Sequence, residues 1–99
     1  MEEKGKQKYN GWTNYETWTV SLWIDNEAAS YRYWRAEALH HRQVASNIDE
    51  AIYGLATSLR DEVTECAPTS EPGLYTDLLN SALSQVNWSE IASSWLEDL

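Results

Sequence analysis

Apolar side chains recur along this chain at the spacing of α-helices and nowhere alternate as in a strand. The clearest stretch is Ile48, Ile52, Leu55, Leu59, Val63 and Cys66. It steps at about 3.6 residues, the period of a straight helix rather than the 3.5 of a coiled coil. Asn47 with Glu50 caps its start, and Pro68 stops it near Cys66. Upstream, Thr13 with Glu16 reads as a capping box for a first helix over residues 14–25, with Tyr15, Trp18, Leu22 and Ile24 turned inward. Asn26 then caps a second helix over about 27–42, marked by Tyr31, Trp34, Ala38 and Leu39. Pro72-Gly73 keeps the next connection a loop, after which residues 74–85 gather Tyr75, Leu78, Leu79, Ala82, Leu83 and Val86 on one side. Asn87 with Glu90 opens the last helix, with Trp88, Ile91, Ala92, Trp95 and Leu99 on its apolar face. Five short helices with short connections predict an all-α compact bundle with antiparallel neighbours. Residues 1–8, polar and charged around Gly5, read as a flexible leader, and residues 9–99 as one helical domain.

Charge changes this picture by position. The chain has 99 residues and a formal net charge of -9. Residues 1–60 carry all seven Lys and Arg against eight acids, whereas the stretch from Asp61 onward carries eight acids and no Lys or Arg. Such a segment repels phosphate backbones and anionic membranes and favours basic partners. The expectation is a protein partner with a basic surface, no direct nucleic-acid binding and no membrane contact. Acids in first helical turns (Glu16, Asp49, Glu50, Asp77, Glu90) suit the helix dipole. Asp61, Glu62, Glu65, Glu97 and Asp98 close helices, where the dipole disfavours them, and these five are the candidate partner-binding surface. The opening residues lack the apolar stretch of a signal peptide, no segment approaches a membrane span, and the single Cys66 forms no internal disulfide. A cytoplasmic protein is expected.

The large fillers are six Trp and six Tyr, with no Phe. Trp18 shares a helical face with Tyr15 and Leu22 and is expected to be buried, with Trp12 folding over it from the preceding turn. Trp12, Trp23 and Tyr33 fall off the main apolar phases and are the alternative anchors for a partner or a second copy. The run Tyr9-Asn10-Gly11-Trp12-Thr13-Asn14-Tyr15-Glu16-Thr17-Trp18, followed by Leu22-Trp23-Ile24-Asp25-Asn26, resembles a small family with an Asn-Tyr-Glu-Thr-Trp signature found in bacteria, archaea, phages and plasmids. The resemblance extends through Tyr33-Trp34, the segment Gly73-Leu74-Tyr75-Thr76-Asp77-Leu78-Leu79, Trp88 and Trp95. That family is a domain of unknown function, so the resemblance implies no chemistry.

Catalytic constellations are sparse. Glu37 and His41 share a helix face at i and i+4 beside His40, but a zinc site needs three or four ligands. The expectation is no metal and no cofactor, with a small metal protein or enzyme using Glu37, His40 and His41 as the third reading. Cys66, in the apolar phase of its helix, is expected in the core. The pairs Asp49-Glu50, Asp61-Glu62 and Glu97-Asp98 are adjacent and diverge on a helix, so none forms an acid/base dyad. No phosphate-binding glycine loop or nucleophile elbow occurs. The reading is a noncatalytic acidic interaction module. The phage and plasmid distribution of the resembling family points to a DNA-mimic-like inhibitor or decoy of a basic nucleic-acid-handling protein. The alternative is a structural or regulatory homodimer held by exposed aromatics.

Overall fold

The computed structural model describes residues 9–68 and 71–99; the leader expected over residues 1–8 lies outside them. Five helices follow in order: α1 (Tyr15–Asn26), α2 (Ala28–Val44), α3 (Ile48–Glu65), α4 (Leu74–Ser84) and α5 (Trp88–Glu97). There is no strand among the described residues, and the all-α bundle is as expected. The tightest pair is α3 with α5; α2 packs on both, and α1 lies on α2 and reaches α5. Leu55, Leu59, Ile91, Ala92 and Ala38 are excluded from solvent at the centre, with Trp34 and Trp95 closing the core on either side.

The capping chemistry is partly as the sequence reads. Asn47 and Asn87 accept the amides of Glu50 and Glu90. For α1 the cap is Asn14, not Thr13: the Asn14 Oδ1 accepts the Thr17 N–H. For α2 it is Glu27, not Asn26, accepting from Ser30. A residue caps when its backbone is extended and its side-chain oxygen meets the first free amides, and Asn14 and Glu27 hold those positions.

Burial corrects the expected faces. On α1 the inward residues are Thr17, Ser21 and Ile24, while Tyr15 and Leu22 are exposed and Trp18 is half-buried. The reason lies in the hairpin that precedes the helix. Tyr9 and Trp12 exchange backbone hydrogen bonds of 2.7 and 2.8 Å across Asn10-Gly11, both at positive φ, the signature of a tight type I′ turn. The turn brings Tyr9 against Tyr15 and Trp18, with ring centroids 5.1 and 4.9 Å away, so the aromatics cover one another on the outside of α1. Small polar residues are then left to face the bundle, where they allow close approach. The α3 stripe is buried only in its middle: Ile48 and Cys66 at its ends are exposed. On α2, Trp34 and Ala38 are buried but Tyr31 and Leu39 are exposed. The largest departure is α4, which has no buried residue and leaves Leu74, Tyr75 and Leu78 in solvent.

Candidate functional site

The Asn-Tyr-Glu-Thr-Trp signature forms a structural clasp. Thr17 is fully buried, and its hydroxyl is satisfied in both directions: it donates to Asn14 Oδ1 at 2.6 Å and accepts the Asn87 N–H at 2.9 Å. Asn14 Nδ2 donates to the Gln85 carbonyl at 2.7 Å, and the Thr13 N–H donates to Glu90 Oε1 at 3.1 Å. The start of α1 is thus bound to the α4–α5 junction by hydrogen bonds spanning 70 or more residues of sequence. Tyr15 and Trp18 pack with Tyr9, which leaves Glu16 as the signature residue outside this network. Sequence reasoning misses the clasp because its partners are far apart in the chain. The Asn10-Gly11 dipeptide is the local signal that could have marked the hairpin before it.

The predicted acids divide among separate places. Glu62 lines an apolar groove of about 610 Å³ between α4 and the α2–α3 pair. Its floor and walls include Ile24, Trp34, Val63, Leu79 and Leu83, and Cys66 lies at its edge. Cys66 is therefore a groove residue with an exposed thiol rather than a core one, because the helix ends before the stripe reaches covering structure. Glu65 is exposed on the same last turn of α3, and Asp61 pairs with Arg60 at 3.2 Å. Glu97 instead borders a hollow with Trp12 and Glu90, and Asp98 a cleft of about 200 Å³ with Asp25, Ser21, Tyr31 and Arg35. Glu62 on one side and Glu97 and Asp98 on the other thus line different hollows.

Two ionisations are perturbed. Burial, and then the charge of Asp98, raise the Asp25 carboxyl above the usual aspartate value. The Tyr33 hydroxyl is pushed up to about 12, first because it donates to Glu62 Oε1 at 2.6 Å and then by desolvation and the surrounding negative charge. A phenol held neutral in this way fixes the Glu62 carboxylate at the groove.

The aromatic candidates also separate. Trp23 is 72% exposed, Tyr33 lines the groove, and Trp12 is half-buried against the core. Trp12 is thus in part a packing residue, but it lines a hollow beside α5, and the ring that folds over Trp18 is that of Tyr9. His41 lies 3.9 Å from Glu37 and shares a 3.2 Å hydrogen bond with Ser58. Its ring occupies the space above Gly54, where an added Cβ would come within 2.7 Å of Nδ1. His41 thus joins α2 to α3. Among the described residues no group of three His, Cys, Asp or Glu side chains is placed to hold a metal. No helix of the described chain is long and apolar enough to cross a membrane.

A family model described as Family of unknown function (DUF7249) matches residues 5–92. No curated protein and no solved structure matches.

Proposed function

Because the chain belongs to this family of unknown function, its activity is read from its own surfaces, and we propose a noncatalytic, acidic protein-interaction module. The observation that carries the reading is the position of Glu62 in the lining of the apolar groove, with Glu65 exposed on the same last turn of α3, where the helix dipole disfavours both. Carboxylates beside an apolar floor suit a protein surface that is basic and partly hydrophobic. An imitation of DNA would need an extended array of carboxylates, and Glu62 lines one hollow while Glu97 and Asp98 line two others. The decoy version is therefore the less supported form of the same reading. Neutralising Asp61, Glu62 and Glu65 to Asn and Gln should leave the helical circular dichroism unchanged and abolish capture of a partner copurified from the native host. A neutralised variant that holds that partner as tightly as wild type throughout a salt titration would defeat the acidic reading.

A second reading, a homodimer, is favoured by Trp23, the most exposed of the described tryptophans. Tryptophan is enriched among interface hot spots. Sedimentation of wild type and Trp23→Ala separates the two: a dimer that the substitution dissociates supports self-association, and a monomer across concentration removes it.

A further inference from the structure

We propose that the groove between α4 and the α2–α3 pair receives a cationic amphipathic helix from another protein. This inference rests on the interaction-module reading above and specifies where and what the module binds.

The groove's shape and lining define the apolar half of the ligand. A cavity of about 150 Å³ holds one benzene-sized group, so a groove of about 610 Å³ holds several large side chains. A helix presents such a set at i, i+3 or i+4, and i+7, the usual anchors of helix-in-groove recognition. Ile24, Trp34, Val63, Leu79 and Leu83 supply the complementary surface, and Glu62 is the sole charge in the lining. The outer wall, α4, has no buried side chain of its own.

The rim defines the charged half. Glu62 and Glu65 stand on the last turn of α3, where the helix dipole adds negative potential. The Cys66–Pro68 connection and α4 contain no Lys or Arg, and the single charge on α4 is Asp77. Cationic side chains flanking the apolar face would therefore meet only negative charge on these segments. A second copy of this chain matches the floor less well than it opposes the rim. It brings another net charge of -9, and the exposed Leu74, Tyr75 and Leu78 of α4 surround Asp77.

Two Leu/Lys peptides of identical composition and roughly 18 residues provide the test. One places Leu at i, i+3, i+4 and i+7; the other is scrambled. Fluorescence anisotropy should show the patterned peptide binding at least about tenfold more tightly, with amide shifts concentrated at Ala29, Val63 and Leu83. Ala29→Arg, at an exposed position on the groove lip, should erase that difference with circular dichroism unchanged. Leu79→Asn with Leu83→Asn on the opposite wall provides a second block should Ala29→Arg fail to fold. Glu62→Gln and Glu65→Gln should weaken both peptides, by roughly two- to fivefold per carboxylate. Equal, salt-sensitive binding of both peptides overturns the groove proposal and leaves the acidic surface standing. Binding of neither overturns both. Self-association that shifts the same groove amides without peptide makes a second copy the occupant and overturns the cationic helix.

Discussion

Helices α4 and α5 are neighbours in sequence, have 11 and 10 residues, and are both patterned with apolar side chains at helical spacing. Yet α5 buries Ile91, Ala92, Trp95 and Leu96, while α4 buries none. The difference lies in what fixes each helix to the bundle. Asn87 caps α5 and also gives its backbone N–H to Thr17, and Glu90 accepts from Thr13. The first residue before α4 is Gly73, which offers no side-chain cap, and the tie from Asn14 reaches only Gln85, just beyond the end of α4. An amphipathic face allows burial; directional hydrogen bonds select which helix receives it.

Truncation in the core should separate the two helices most sharply. Ile91→Ala is expected to cost about 2–5 kcal/mol, as is Leu59→Ala in α3, whereas Leu78→Ala should change stability by no more than about 0.5 kcal/mol. Urea denaturation checks all three, and a comparable loss at Leu78 would place α4 in the core. The clasp comes next. Thr17→Val keeps the shape but removes the hydroxyl that joins Asn14 to Asn87, for an expected loss of about 1–3 kcal/mol. Thr17→Ser should lose less, and a neutral Thr17→Val would show that the hydroxyl does not hold α1 to α5. Caps give a smaller contrast: Asn87→Ala should cost about 0.5–2 kcal/mol, while Gly73→Ser, with open space around its Cβ, should gain only a few tenths. Thermal melts of the pair measure both.

The smallest expected effect is electrostatic, at the far end of α5. In the native state Asp25 holds its proton to higher pH than in the unfolded chain. Between those two values the native state binds more protons, so Asp25's contribution to stability falls as pH rises through that window and is fully present below it. Asp98→Asn removes one of the two causes. Carboxyl NMR titration should then show the Asp25 pKa moving down toward the ordinary aspartate value, and the fall in stability across the window should become shallower. An unchanged titration would assign the whole perturbation to burial.

The period of each helix was legible because the i, i+3, i+4 rule depends on nearby residues: Leu55 and Leu59, or Ile91 and Trp95, declare a face by themselves. Sidedness was legible only where one face was clearly more apolar. On α1 the aromatic face of Tyr15 and Trp18 looked inward, but Tyr9 covers it from the hairpin, and the inner face is made of Thr17 and Ser21. No local rule assigns a threonine to the interior when its two partners lie at Asn14 and Asn87. The acids at the end of α3 were legible as misplaced charge, but the groove beside them was not. It depends on where α4 comes to rest, and nothing in α4's own pattern distinguishes a packed helix from a wall. His41 was a candidate ligand from spacing alone; its place against Gly54 and Ser58 requires the α2–α3 packing.

The clasp also orders assembly in time. Helices α2 and α3 are sequential and can pair while the chain is still being synthesised, since closing a short connection costs little entropy. The bonds to Thr17 and Asn14 come from residues 85 and 87. The start of α1 thus waits for these partners while some 70 further residues are made, with Thr17 hydrated rather than committed. A polar face suits that delay: an apolar one exposed for so long would invite misassociation with other nascent chains.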